Sequence, residues 1–442
     1  MASMGSGVIF FALVLVAAGV AADSRFDSPW KGSSGGRDNN DRRGNNHGRE
    51  HSRNDQRGRG GDRDRNNNDR GGQRKTQLPS TDDVKFIIVG FRHGNRNPDQ
   101  FLNGDKSHDQ WAWEGPSQLT SIGKRQGYSL GQFLRKRYGN VVSDEYLPSQ
   151  FKAISSSADR AQQTMQACMA GFYPTKGRNA QGYSLSWQPI PYGINDPLLR
   201  MYNVDPCPGY KSAYQAISDD NSAAAREWLN REPALTKYIA EKSGLNASLS
   251  DLGDVADNIG NMRKFNVPLP SWVTKPTLPG YPPKNMEDAV NSFAEAHQVL
   301  CANDPDCSHM MAGLWLDEIM TVLQKKASGD AKLKDRRANF YAAHTETVLS
   351  LLRLLKVDDI ADETPTSAGL VIEFTDKPVP AVRVLFHQPN PENPDDRLAE
   401  VKSLAYCEDK EWCPVDTLVS SVKGPNFSDW RDACKVASTC TL

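Results

Sequence analysis

The sequence predicts an α/β fold in which a mostly parallel central sheet is flanked by helices and carries an inserted, mainly helical cap. Three observations lead there. Lys85-Phe-Ile-Ile-Val89 is an unbroken apolar, β-branched run, the pattern of a strand buried on both faces. Phe340-Tyr-Ala-Ala343 is a second strand candidate, followed at once by an amphipathic helical pattern at Val348, Leu349, Leu351, Leu352 and Leu355. The part able to fold, residues 81–442, holds about 360 residues, enough for one large α/β core plus an inserted lobe. No internal repeat is visible.

The chain of 442 residues opens with an apolar run from Val8 to Val20. At about 13 residues it is short for a bilayer span, which needs about 20. It ends in Val20-Ala21-Ala22, a small-residue pattern suited to signal peptidase, so residues 1–22 read as a signal peptide although no Lys or Arg precedes the run. The mature chain is then expected to be secreted and to lack a transmembrane segment.

Residues 23–80 follow as a Gly, Asn, Asp and Arg-rich segment with very few Leu, Ile or Val. Such a composition buries too little apolar surface to offset the entropy of ordering it, and disorder is expected. Residues 23–75 carry 14 Lys or Arg against 9 Asp or Glu. The Arg-Gly repeats suit RNA binding, but export and the near absence of Phe and Tyr as stacking partners oppose it. A solvated spacer is the plainest reading, and contact with an anionic glycan or matrix is the alternative. Over the whole chain 53 Lys and Arg balance 54 Asp and Glu, so the basic tail hides an acidic folded part. The low hydrophobic fraction of 38% and mean hydropathy of -0.62 exclude a polytopic membrane protein, and the charge gives no sign of a strongly basic nucleic-acid binder.

Directly after the first strand comes Gly90-Phe-Arg92-His93-Gly94-Asn-Arg96-Asn-Pro98. Open α/β sheets place ligands at the carboxyl ends of their strands. A His between two Arg at that place suits phosphoryl transfer. The guanidiniums stay charged and fork onto phosphate oxygens, and the imidazole can attack phosphorus to form a phosphohistidine. A lone His would carry no such message, but R-H-G-x-R-x-P behind a buried strand is far more specific. At the second strand's tip stands His344, in Ala343-His344-Thr345-Glu346-Thr347. By itself His344 could bind a ligand or simply cap the next helix.

The first motif resembles that of the histidine acid phosphatases, and the chain is most similar to their prostatic and lysosomal branch. Gln118-Leu-Thr120, Leu134-Arg135-Lys-Arg137-Tyr138, Asp159-Arg160, Phe172-Tyr-Pro174 and Pro268-Leu-Pro-Ser-Trp272 extend the match, which covers roughly Val84 to Cys434. The resemblance implies a phosphoglycerate mutase-like fold with a cap insertion at about 196–334. It implies that His93 is the nucleophile and that Arg92, Arg96 and His344 bind phosphate. It implies no metal or cofactor. The substrate would be a phosphorylated small molecule or a phosphoprotein, and relatives on the prostatic branch suggest a homodimer.

Two positions depart from the family's pattern. Thr345 stands where many members have the Asp that protonates the leaving oxygen, and a hydroxyl is too weak an acid for that task. Glu346, one residue on, resembles the carboxylate of the multiple inositol polyphosphate phosphatase branch and is the candidate proton donor; it could instead favour the helix dipole from the solvent side. Counting six residues back from Arg160, to where a third phosphate arginine was expected, gives Ile154. That loss would weaken the clamp roughly 10²–10³-fold, by comparison with loss of one oxyanion donor. An active phosphatase is therefore the leading expectation. The alternatives are an impaired protein that binds phosphorylated or anionic ligands, and a matrix protein acting through its basic tail.

All eight cysteines lie in the folded part, none with CxxC spacing, which in an exported chain points to disulfides. The resemblance implies Cys207 with Cys434 and Cys407 with Cys413. Cys301 and Cys307 are near enough in sequence to pair locally, and Cys168 and Cys440 have no template. Asn246 and Asn426 sit in Asn-x-Ser sequons and are candidate glycosylation sites.

Overall fold

Phe86–Arg92 forms strand β1, buried along its whole length. Its side chains alternate between two cores, as a period of two requires. Ile87, Val89 and Phe91 join one apolar cluster, Phe86 and Ile88 the other. This is the sense in which an unbroken apolar run encodes a central strand: both faces need apolar cover. The computed structural model describes residues 77–442, apart from 176–186, 295, 361–363, 394, 409, 423, 425, 426, 428 and 437–442. The signal peptide, nearly all of the basic tail, Asn426 and Cys440 thus lie outside the described residues.

The other strands are β2 (Phe151–Ser155), β3 (Gly193–Ile194), β4 (Ala338–Ala343), β5 (Gly369–Thr375), β6 (Ala381–Pro389), β7 (Arg397–Lys402) and β8 (Cys413–Pro414). The sheet order is β3-β2-β4-β1-β5-β6-β7, with β8 paired to β6. The α/β class holds, but the expected mostly parallel sheet is mixed. β1, β2, β3 and β4 run parallel to one another, whereas β5 to β8 add antiparallel pairs. The cause is connection length. The chain between β5 and β6, and between β6 and β7, is short, and a short link can only reverse direction.

Helices α1 (Ser121–Tyr138) and α2 (Asp159–Phe172) cover one face of the sheet, where Leu130, Leu134, Met165 and Phe172 meet Ile87 and Val89. The two helices cross closely at Gly131. A Cβ there would sit 2.0 Å from the carbonyl oxygen of Cys168. Cys168 itself is buried, and burial pushes its thiol pKa up, so it is an inert core residue rather than a nucleophile. The opposite face is covered by the helices Pro305–Ala327 and Thr345–Leu354, through Trp315, Ile319, Leu351 and Leu352.

Between β3 and β4 the described residues form helices only. Several of them gather around a third apolar cluster that includes Leu235, Ile239, Leu252, Ile259 and Val290, together with Leu102 and Trp111 from the segment after β1. The helices Asp196–Leu199 and Pro305–Ala327 instead join the core on the sheet, and the latter returns the chain toward β4. Cys207–Cys434 ties this lobe to the C-terminal end across 227 residues, and Cys301–Cys307 and Cys407–Cys413 close short loops. Asn246 is exposed ahead of the helix Leu249–Lys264.

Beneath the sheet, the buried Glu373 of β5 binds Arg137 at 2.7 Å, Arg383 at 2.5 Å and the Tyr138 hydroxyl at 2.7 Å. Arg383 and Arg137 in turn donate to the carbonyls of Ser80 and Pro79, which ties the segment ahead of β1 to the sheet. At the helix crossing, Gly131→Ala must push α1 and α2 apart; it is expected to cost about 2 kcal/mol or more, as overpacked cores do, visible as a lower urea midpoint.

Candidate functional site

The parallel register of β1 and β4 sets Arg92 opposite Ala343. The next residue on each strand, His93 and His344, therefore leaves the sheet at the same edge. Their ring centroids are 5.4 Å apart in an edge-on arrangement. Ser155 of β2 pairs with Ala342, which brings Ser156 to the same edge, its Oγ 2.8 Å from His344 Nε2. His344 occupies the position before the helix Thr345–Leu354, but its side chain does not cap that helix.

The loop after β1 is held on every side. Gly94 N–H donates to Thr164 Oγ1 at 3.0 Å, and Asn95 N–H donates to Gln126 Oε1 at 2.8 Å. Asn95 Nδ2 donates to Asn261 Oδ1, and Asn261 Nδ2 donates to the Arg96 carbonyl, each at 2.8 Å. Asn261 belongs to the lobe helix Leu249–Lys264. Gly94 is required by space, because a Cβ would lie 2.4 Å from the Gly123 carbonyl oxygen.

His93 Nδ1 lies 2.8 Å from the Gly94 carbonyl, which can only accept. Nδ1 thus carries the proton and Nε2 keeps its lone pair. Arg160 Nε donates to that lone pair at 3.1 Å. Burial foremost, then the Arg160 and Arg92 charges, hold the His93 pKa well below 6.5. His344 is held low in the same way, by burial and then by Arg160. Burial and the neighbouring guanidiniums therefore favour the neutral form of both rings.

These groups line a cavity of about 230 Å³. Arg92, Arg96, His93, His344 and Glu346 all reach it, so the five expected site residues are brought together. Arg92 is anchored by donating to the Thr364 carbonyl. Arg96 Nη2 lies 3.1 Å from Asp257, and its Nη1 lies 3.6 Å from Asp99. Thr345, buried at the start of its helix, and the half-buried Glu346 both line the wall. The first turn of that ten-residue helix also lines the cavity with its positive end.

Ile154, which stands where the resemblance implies a third phosphate arginine, does not line the cavity. Ile154 pairs with Tyr341 and Gly193 inside the sheet and belongs to the core that holds Trp315. Lys152 faces outward and binds Glu318 at 3.1 Å. The further guanidinium comes from Arg160 itself, in the first turn of α2. The rule that found His93 and His344, namely to look just past the carboxyl end of a parallel strand, also points to Arg160 behind β2. Sequence reasoning missed the wall from the lobe: Arg200, Asp254, Asp257, His297 and Gln298. Nothing local in sequence marks these, since tertiary packing alone brings them to the cavity. Asp254 has its pKa pushed up to about 7, chiefly by burial, with the Asp99 and Asp257 charges adding to it.

Comparison with known proteins agrees with this geometry. The chain matches the family model described as the histidine phosphatase superfamily (branch 2) over residues 83–387. It is 26% identical over 375 residues to the lysosomal acid phosphatase of Xenopus laevis, covering 82% of this chain and 81% of that one. It is 29% identical over 361 residues to the putative acid phosphatase 5 of Caenorhabditis elegans, covering 80% of each. Among solved structures, the phytase of Citrobacter braakii superposes with a TM-score of 0.57 at 17% identity, over 80% of this chain and all of that one, a likeness of fold. A buried neutral histidine ringed by arginines at a parallel sheet edge, together with a family match across more than half its length, places this chain in branch 2 of the histidine phosphatase superfamily.

Proposed function

We propose that the protein is a secreted acid phosphatase that hydrolyses phosphate monoesters through a phosphohistidine on His93. The observation that carries this is the state of the His93 ring: Nδ1–H is bound to the Gly94 carbonyl, and the Nε2 lone pair is aimed into the cavity beside Arg160. A ring tied in this way can attack along one direction only, which is the pre-organisation that nucleophilic catalysis needs.

A phosphate monoester enters with its oxygens on Arg92, Arg96, Arg160 and His344, and Arg160 exchanges its bond to Nε2 for one to phosphate. Nε2 then forms a bond to phosphorus as the ester P–O bond breaks. Glu346 gives its proton to the departing alkoxide. Water attacks the phosphohistidine and returns a proton to Glu346. The N–P bond breaks, inorganic phosphate leaves and Nε2 recovers its lone pair. The positive charges stabilise the transferring group throughout. Glu346 on the cavity wall and Arg160 beside His93 support this reading at the two positions where the chain departs from the family's pattern.

In an assay with a chromogenic phosphomonoester between pH 4 and 7, wild type is expected to turn over and His93→Ala to lose about 10³-fold or more, as removal of a nucleophile does. Equal rates would refute the proposal. Because the His93 pKa is lowered, its lone pair stays available well below pH 6.5, so kcat/KM should not fall on the acid side until the pH passes that depressed value.

Arg160→Ala should cost roughly 10²–10³-fold in kcat/KM. Ile154→Arg, by contrast, should give no gain and should destabilise the fold by burying an unpaired charge. A rate increase in Ile154→Arg would show that the site lacks a phosphate-binding cation at that position. Glu346→Gln should lose roughly 10²-fold or more with an alkyl phosphate and far less with an activated aryl phosphate, whose leaving group needs no proton. Equal losses on both would remove Glu346 from the acid role.

A further inference from the structure

We infer that Arg397 and Ser367 are positioning residues: a buried guanidinium on β7 holds the turn that fixes the His93 main chain and the Arg92 side chain. This rests on the proposal that His93 is the nucleophile and Arg92 a phosphate ligand.

The turn spans residues 364–368, just ahead of β5. Ala368 N–H donates to the Pro365 carbonyl at 2.9 Å and closes it. Ser367 N–H donates to the His93 carbonyl at 2.8 Å, and Arg92 N–H donates to the Ala368 carbonyl at 2.9 Å. Antiparallel bonding between the two chains thus runs on past the last β1–β5 pair, Phe91 with Gly369. The Thr364 carbonyl accepts from the Arg92 guanidinium. One short turn therefore grips the backbone of one site residue and the side chain of the other. It also sits hard against β1. A Cβ on Gly369 would lie 2.0 Å from the Gly90 carbonyl oxygen, so little slack exists beside it.

Ser367 has a φ of 63°, in the left-handed region where glycine is the ordinary choice and a side chain is strained. Its hydroxyl is used twice. Oγ donates to the Gln126 carbonyl and accepts from Arg397 Nη1, each at 3.3 Å. Arg397 Nη2 donates to the Ser367 carbonyl as well, so the guanidinium fork spans both oxygens of that residue. Gln126 extends the hold, because its side-chain oxygen accepts from Asn95 N–H at 2.8 Å in the loop after His93.

Arg397 is only 7% exposed, and no carboxylate pairs with its guanidinium among the described residues. The neighbouring Asp396 carboxylate accepts from the Arg397 main-chain N–H instead. The remaining acceptor is His387 Nδ1 at 2.8 Å, which must keep its lone pair, so that buried ring is neutral. A buried cation facing only neutral acceptors carries a large desolvation cost, and an apolar side chain would fill the same space more favourably. What the guanidinium adds is a two-pronged hold on a strained residue. Neither Arg397 nor Ser367 lines the cavity, so both act through His93 and Arg92 rather than on the ligand.

The test compares full-length wild type with Arg397→Gln, Arg397→Lys, Ser367→Gly and Leu418→Ala. Each is measured for kcat on a chromogenic aryl phosphate, for inorganic phosphate Kd by calorimetry and for urea midpoint. Leu418→Ala is the control for plain destabilisation. Leu418 is buried in the helix Val415–Ser421 behind β8, and β8 joins the sheet at Val382, whose partner Phe374 faces Phe86 at the other end of β1. It should lower the midpoint yet keep kcat and phosphate Kd within about twofold of wild type.

Both Arg397 variants should lose roughly 10–100-fold in kcat and bind phosphate about tenfold more weakly, as misplaced site groups do. Lysine keeps a charge without the fork and should not rescue. Ser367→Gly suits the positive φ, so its midpoint should hold, while kcat should fall about fivefold because the hydroxyl's two bonds are gone. A stable but slower variant is an outcome that a merely structural role does not give. Wild-type kcat in Ser367→Gly, rescue by Arg397→Lys, or Arg397 variants that lose no more activity than Leu418→Ala would each overturn the inference. If the Arg397 variants fail to fold, Ser367→Gly decides. Wild type that binds phosphate without turnover defeats the catalytic proposal alone, and the positioning role is then read from phosphate Kd. Wild-type turnover with unchanged kcat and Kd in the variants defeats the positioning role alone.

Discussion

Because β1 and β4 are parallel and in register from Ile87 with Ala338 to Arg92 with Ala343, two histidines 251 positions apart emerge side by side. Every other feature of the edge follows from that pairing. It decides which residues can share one phosphate, where the first turn of the Thr345 helix points and where β2 must lie for Ser156 to reach His344. An antiparallel β4 would send His344 to the far end of the sheet and leave His93 among arginines with no second ring. The pairing is secured by apolar cover on both faces, which makes a slip of one residue costly because it would exchange the contents of two cores.

Neutral imidazoles beside cationic arginines are a consequence of desolvation as much as of charge. A protonated His93 would be buried among Arg160 and Arg92 without a counter-ion, so the fold itself keeps the ring uncharged. An exposed histidine would lose its lone pair to protonation at low pH, whereas burial here favours the neutral ring. The Gly94 carbonyl completes the arrangement by deciding which nitrogen bears the proton.

What the sequence makes legible is local or periodic. Lys85–Val89 and Phe340–Ala343 are readable because burial on both faces leaves an apolar imprint, and His93, Arg92, Arg96 and His344 because they abut those imprints. Glu346 stands out only through the resemblance of His344-Thr345-Glu346 to the pattern of one branch of the family. The antiparallel half of the sheet was not anticipated, since short strands joined by short links carry no mark of direction until their neighbours are known. Arg160 lay within reach of the strand-end rule, while Asp254, Asp257, His297 and Gln298 did not. Those four come from two helices of the lobe, and only the packing of that lobe against the β1 loop gathers them.

The paired amides of Asn95 and Asn261 have a broader meaning. Through them the lobe grips the backbone of the very loop that carries His93 and Arg96. The lobe is therefore no detachable lid, and its evolution is not free. Insertions that reshape the wall around Asp254 or Gln298 can alter ligand choice at small expense, but any change that rotates the helix Leu249–Lys264 moves Asn261 and loosens the nucleophile's loop. Divergence in such a lineage should run through side chains on the wall while the helix that carries them keeps its seat. A lobe transplanted from a relative would succeed only if it brought an amide to the same place.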